Sequence, residues 1–285
     1  MDFFEAVGRY EFLQLALLSG LLASIAAGFV GTYVVSRGIT YLAGSMAHFV
    51  LGGMGIARYL QVVHGITWLT PLHGAIIAAL LGALIIAAVR LKSNQREDTV
   101  IGALWAIGMA VGILFISRTP GFNDDLMSYL FGNILMVTRD QVWMLVGLDV
   151  VVVIIAVLFY NPFFAISFDE TFARVRGTPT AFYYVVLLIL TALTVVVLTT
   201  VVGIVMVIAL LTLPAAIAGQ QAKKLWQMML NASILSALFT TAGIAVSYEP
   251  DYPTGATIIL IAGASFVISL VFRKIWPMRR RKGEK

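Results

Sequence analysis

The feature that most constrains this chain is a series of nine apolar runs, at about 13–35, 41–61, 72–90, 99–117, 141–160, 181–199, 201–218, 228–247 and 255–273, joined by short polar connections. A helix crossing the hydrocarbon core of a bilayer needs about 20 apolar residues. In lipid every backbone N–H and C=O must be satisfied within the protein, so runs of this length fold as spanning helices. The expected fold class is an all-α polytopic membrane protein with eight or nine transmembrane helices. Residues 1–285 form a single membrane domain, because no connection is long enough to fold alone. The count turns on 181–218, which as one helix would reach about 57 Å. A bend is expected at Thr199-Thr200 with Gly203, and the segment after it is expected to be short or re-entrant.

Charge sets the orientation. Only 12% of residues are charged and 60% are hydrophobic, whereas a soluble domain is about 25% charged. That balance excludes a soluble enzyme, a disordered chain and a nucleic-acid-binding domain. Lysine and arginine favour the cytoplasmic loops. With the C-terminus inside, Arg37, Arg90, Lys92, Arg96, Arg174, Arg176, Lys223, Lys224, Arg273, Lys274, Arg279, Arg280, Arg281, Lys282 and Lys285 fall there. Only Arg9, Arg118 and Arg139 lie in outer segments, with Arg58 near the outer end of its span. Eight acids gather outside, among them Asp124, Asp125, Glu249 and Asp251. Nine spans then place the N-terminus outside, in a multi-pass protein of the cytoplasmic (inner) membrane. The net charge of +5 is thus read as topology rather than as affinity for nucleic acid. The acidic, aromatic start, MDFFEAVGRYEF, lacks the positive region of a cleavable signal.

Several chemistries have no residues to perform them. Cysteine is absent, so disulfides, thiolate metal ligands and cysteine nucleophiles are excluded. No Gly-x-x-x-x-Gly-Lys-Ser/Thr loop, Gly-x-Ser-x-Gly elbow or His-Glu-x-x-His helix is present. The chain is expected to be a transport subunit and not an ATPase or other enzyme.

Ionisable groups inside spans are costly and mark functional candidates. His48 sits in GSMAHFVLGGMGIA, among Gly44, Ser45, Gly52, Gly53 and Gly55. Small residues let helices approach closely and leave room for a hydrated path. A neutral imidazole is a common ligand for divalent metals, and the bland alternative is a histidine satisfied by a backbone carbonyl. Asp149, in MLVGLDVVVVII, must be protonated, paired or facing water. It is a second candidate for the path, weighed against a neutral Asp bonded between helices. Arg58 reads as a snorkelling residue. His64 and His73 flank WLTP in an outer loop and read as ordinary surface histidines. Asp124, Asp125, Glu249 and Asp251 would form an acidic outer entrance for cations or simply solubilise that face. Two inner stretches, SFDETFARVRGTP (167–179) and LPAAIAGQQAKKLW (213–226), interleave charge with aromatics. Both are expected to form short amphipathic helices against a cytoplasmic partner.

Six stretches, in order over nearly the whole chain, carry a resemblance: AHFVLGGMG (47–55), REDTVIGALWAIGMAVGILFIS (96–117), DLMSYLFGNIL (125–135), FDETFARVRGTP (168–179), VGIVMVIALLTLPAAIA (202–218) and DYPTGATIIL (251–260). Together they resemble the permease subunits of the ABC transporters that import zinc, manganese and iron, the metal-type "ABC-3" permeases. DLMSYLFGNIL is most similar to zinc-type members, so the cargo expected is zinc, with manganese or iron as the alternative and a stand-alone secondary cation carrier as a further one. The resemblance implies a homodimer of permeases in the bilayer, two cytoplasmic ATPase subunits that bind the ATP, and an extracytoplasmic metal-binding protein. No permanently bound cofactor is implied, only the transported metal. Coupling to the ATPase would run through Pro214, Gln220, Lys223 and Lys224, with Asp169, Glu170 and Arg174 on the second inner loop. His48 matches a family histidine implicated in metal passage. The Asp usual four residues earlier is Gly44 here, and the Pro that commonly follows is Gly52. Asp149 is the expected substitute for that missing acid.

Overall fold

The computed structural model describes residues 3–92, 97–120, 132 and 134–282. These form helices α1 (Phe3–Arg9), α2 (Glu11–Ser36), α3 (Tyr41–Val63), α4 (Pro71–Lys92), α5 (Glu97–Ser117), α6 (Arg139–Leu158), α7 (Tyr160–Phe168), α8 (Glu170–Val175), α9 (Thr180–Val202), α10 (Ile204–Gly219), α11 (Leu225–Tyr248) and α12 (Thr254–Lys282), with a 3-10 turn at Ile134–Met136.

Among the described residues, nine helices run end to end through the bundle, and their directions alternate. Helices α2 and α6 are parallel: Glu11 pairs with Arg139 at one end, and the Tyr33 hydroxyl donates to the Ala156 carbonyl (3.2 Å) toward the other. Helices α3 and α5 are parallel too. Ser45 donates to the Ile101 carbonyl (2.7 Å), and further along Gly52 faces Gly108 and Gly55 faces Gly112. Each of these pairs is separated by an odd number of crossings, as alternation requires.

Seven helices, α2, α4, α5, α6, α9, α11 and α12, are long and apolar enough to cross a membrane. The other two depart for identifiable reasons. Helix α3 has 23 residues, but His48, Arg58 and four glycines dilute its apolar character. Helix α10 has 16 residues, about 24 Å of rise, and begins where α9 is broken. The break is at Gly203, with φ 82° and ψ 164°, a backbone conformation essentially confined to glycine. The expected bend is therefore present, and the segment after it is short, as expected.

Several polar side chains inside the spans are satisfied locally. Ser24, Thr32, Thr191, Thr194 and Thr240 each donate to the carbonyl four residues earlier, at 2.6–2.9 Å. The bundle exterior is apolar: Leu18, Leu81, Leu114, Ile154, Leu238 and Leu260 are exposed, as a lipid-facing surface requires. Helix α2 packs on α11, α10 and α6, and α3 lies between α5 and α4.

One expectation is corrected. The stretch 213–226 forms no helix of its own. Residues to Gly219 continue α10 through the buried Pro214, Gln220–Lys224 is a turn, and α11 starts at Leu225. A helix whose residues to Ala218 are buried against the bundle has no reason to stop before its apolar run ends. In 167–179 the expected short helix is present as α8. It is capped by Asp169, whose carboxylate accepts from the Phe172 N–H at 2.8 Å.

Candidate functional site

His48 is buried in the first half of α3, with 8% of its surface exposed. Its Nδ1 lies 2.8 Å from the carbonyl of Gly44, one turn earlier. A carbonyl can only accept, so Nδ1 carries the proton, and in the neutral imidazole Nε2 keeps its lone pair. A backbone carbonyl holding one ring nitrogen so that the other is free to ligate is the usual arrangement of metal-binding histidines. The ring also stacks on Trp105 of α5, with centroids 4.8 Å apart and planes 26° apart. Two independent contacts therefore set the direction of the free nitrogen.

The surrounding glycines serve packing. A Cβ on Gly52 would sit 2.8 Å from the Gly108 carbonyl oxygen of α5, and one on Gly53 would come closer still to the Gly74 carbonyl oxygen of α4. Beside this seam a cavity of about 290 Å³ is lined by Phe49, Ile56, Ile77, Leu81, Ile107 and the glycines. No polar side chain faces it, so it offers a hydrated ion no ligand.

Asp149 is buried in α6, with 6% of its surface exposed, and neither carboxylate oxygen has a hydrogen-bond partner among the described residues. The structure does not bring it to His48. Helix α6 packs chiefly on α2 and α9, whereas α3 packs on α5, α4, α10 and α9. Among the described residues no three His, Asp or Glu side chains gather as a metal site. Arg58 is half-buried and donates to the Gln61 side chain at 3.0 Å.

The two ends of the bundle differ in charge. At the acidic end Glu249 and Asp251 are exposed where α11 gives way to α12. Asp124 and Asp125 lie outside the described residues. His64 and His73 are exposed near the same end; His64 sits against the Tyr59 ring and His73 Nδ1 lies 2.7 Å from the Thr70 hydroxyl.

At the basic end Glu170 joins three helices. Its carboxylate accepts from Arg37 (2.9 Å) at the end of α2 and from Arg90 (2.8 Å) at the end of α4, and Arg174 lies at 3.3 Å. Arg37 is also held by the Ile166 carbonyl (2.7 Å) and lies over the Tyr184 ring. Burial alone would raise the Glu170 carboxyl, but the bonds and charges of Arg90 and Arg37 outweigh it and hold the group below its ordinary value. Beside this cluster a cavity of about 540 Å³ is lined by Phe164, Phe168, Gln220, Lys223, Lys224 and Arg273. Gln220 donates to Ser269 (3.1 Å). The two inner stretches, distant in sequence, thus meet at one end. Pro214 lies deeper, in α10, and does not reach the cavity.

Two residues of this geometry were not singled out from the sequence. In sequence Arg37 reads only as an orientation charge, and Trp105, in GALWAIG, only as an aromatic in a span.

Comparison with known proteins gives the chain a context. The ABC 3 transport family description matches residues 9–273. A protein of Chlamydia trachomatis named "probable metal transport system membrane protein" is 40% identical over 259 residues, covering 91% of this chain and 88% of its own. The manganese import system permease protein ScaB of Streptococcus parasanguinis is 32% identical over 280 residues, covering 98% of this chain and 96% of its own. The solved structure of PsaBC from Streptococcus pneumoniae in complex with Fab superposes with a TM-score of 0.82 at 31% identity, covering 94% of each chain.

Proposed function

The chain belongs to the ABC 3 transport family and is the membrane permease of a metal importer, and from that premise we propose that its cargo is manganese, passed by His48. The choice of metal rests on the relatives. ScaB is named for manganese, and so is a 33% identical membrane protein of Halalkalibacterium halodurans. Zinc, expected from DLMSYLFGNIL, finds no support in those names, and most of that stretch lies outside the described residues. Imidazole on its own suits zinc better than manganese. A path for manganese therefore relies on retained water and carbonyl oxygens for the rest of the coordination shell.

The observation that carries the reading is the arrangement of His48: a histidine in a span, with Nδ1 held by the Gly44 carbonyl, and among the described residues no group of three His, Asp or Glu side chains closes a cage around it. A closed tetrahedral cage retains its metal; a single donor binds weakly enough to release it. That suits an ion in transit.

In this reading two copies of the permease pair in the membrane, and an extracytoplasmic metal-binding protein delivers the ion at the acidic end. The basic end faces the cytoplasm, where ATPase subunits bind and hydrolyse ATP. The cavity between α7 and the turn after α10, with Lys223 and Lys224 at its rim, receives the ATPase. The Glu170 cluster ties that surface to α2 and α4. Closure of the ATPase dimer on ATP moves this end, and α3 changes the side to which His48 opens.

The test is uptake into vesicles holding the permease with its ATPase, supplied with metal-loaded binding protein. Manganese uptake above zinc and iron, lost in His48→Ala while the complex still assembles, is the expected result. Zinc transported in preference to manganese would overturn the cargo, and normal uptake by His48→Ala would overturn the site.

A further inference from the structure

Trp105 touches two residues of α3 at once. Its indole stacks on the His48 imidazole, and its six-membered ring lies over Gly44. A Cβ built on Gly44 would meet indole carbons at 3.0 and 3.2 Å, with Ile208 of α10 behind at 3.6 Å. Gly44 is four residues before His48 and shares its helix face. The same glycine supplies the carbonyl that holds Nδ1. Indole offers a cation no lone pair in its plane, since its nitrogen is only a donor. The contacts it makes are with His48 and Gly44, and through them it can act on the ligand.

We propose that Trp105 is the positioning residue of the cation path: it holds the plane of His48 so that Nε2 points in one direction, and Gly44 lacks a side chain so that the indole can reach that position. This rests on the reading of His48 as the ligand of the transported metal. An imidazole turns about two side-chain bonds. The Gly44 carbonyl restrains Nδ1, and the stacked indole removes the remaining rotation of the ring about that hydrogen bond. A ligand held by one bond alone would sweep through several directions, and few of them would receive the ion as α3 changes sides. The bulk at residue 105 and the absence of bulk at residue 44 are then one device shared by two helices.

The arrangement is tested with the full complex in vesicles, measuring manganese uptake and ATP hydrolysis against the concentration of metal-loaded binding protein. Trp105→Phe keeps a ring to stack and should retain wild-type uptake. Trp105→Leu should lower the maximal uptake rate by about tenfold, the usual loss when support for a metal-binding histidine is removed. The half-saturating concentration and the ATPase rate should stay unchanged, because docking and the basic end are untouched. Gly44→Ala pushes the indole away and should give the same loss. The double variant Gly44→Ala/Trp105→Leu should be no worse than Trp105→Leu alone, since the methyl group then meets no indole. A merely structural role would lower assembly and ATP hydrolysis in step with uptake, and Phe would rescue nothing. Wild-type uptake in Trp105→Leu, or losses that multiply in the double variant, would overturn the proposal. His48→Ala run alongside separates the two levels: normal uptake there removes the site itself, whereas lost uptake there with normal uptake in Trp105→Leu removes only the positioning role.

Discussion

Glu170→Gln perturbs an ion cluster that ties the inner loop to the spanning helices, and its cost can be worked from the geometry. The side chain of Arg37 is 6% exposed and bonds Glu170 at 2.9 Å. A hydrogen bond to a charged group contributes about 1.5–3 kcal/mol. Arg37 keeps the Ile166 carbonyl and the Tyr184 face, so the loss lies at the lower end. The Arg90 side chain is 35% exposed and adds about 0.5 kcal/mol. Arg174, at 69%, adds nothing measurable. The sum is about 2 kcal/mol, which for a chain of this size lowers Tm by about 5 °C. The pH dependence gives the sharper test. Glu170 is held below its ordinary value of 4.5. A depressed carboxylate stabilises the fold fully above its unfolded value, and that contribution is lost as pH falls through the lower folded value. The Tm gap between wild type and Glu170→Gln should therefore be constant from about pH 8 to pH 6 and close below about pH 4.5. Thermal unfolding of the purified complex across that range, followed by size-exclusion, reads it. If α8 also transmits the motion of the ATPase, manganese moved per ATP should fall in the variant at neutral pH. A gap that persists undiminished at pH 3.5, or no gap at neutral pH, would refute the reasoning.

Two other substitutions separate packing from function. Gly203→Ala forces a side chain into a backbone region essentially confined to glycine and should cost about 1–3 kcal/mol, seen as a drop in Tm of several degrees; an unchanged Tm would mean that the break between α9 and α10 can form at another residue. Asp149→Asn should leave manganese uptake and assembly unchanged, because the group lies in the α6 seam, whose packing partners are α2 and α9, and among the described residues it has no ion-pair partner; uptake lost in an assembled Asp149→Asn complex would return it to the path.

The crossings were legible because lipid imposes a one-dimensional requirement. A run must be apolar for the bilayer thickness, and the nine runs coincide with α2–α6 and α9–α12 to within a few residues, save that α12 continues past 273 to Lys282. The break at Gly203 was legible for a similar reason: a helix twice the bilayer thickness must stop, and Thr199-Thr200-Val201-Val202-Gly203 held the one residue that accepts φ 82°. Which helix faces which was not legible. In water an apolar stripe marks the buried face, but in a bilayer both faces of a span are apolar, so periodicity does not separate protein from lipid. Arg37 and Arg90 meet Glu170 across 133 and 80 residues, and as isolated residues they read only as positive charge. Asp149 was expected to complete the His48 site because both are ionisable groups in spans, yet nothing in either local sequence says which seam it enters.

The glycines of α3 show where that limit falls. Gly44, Gly52, Gly53 and Gly55 look alike in sequence, and close packing was a sound expectation for all four. Their partners divide them. Gly52, Gly53 and Gly55 meet the backbones of Gly108, Gly74 and Gly112, so a side chain at any of them would push whole helices apart. Gly44 instead meets the tip of a single indole, which can swing away. A methyl group at residue 52 or 53 should therefore cost assembly. The same methyl group at residue 44 should cost only the direction of His48. Identical residues on one helix thus fail in different ways, and the difference is set by what each one faces across the seam.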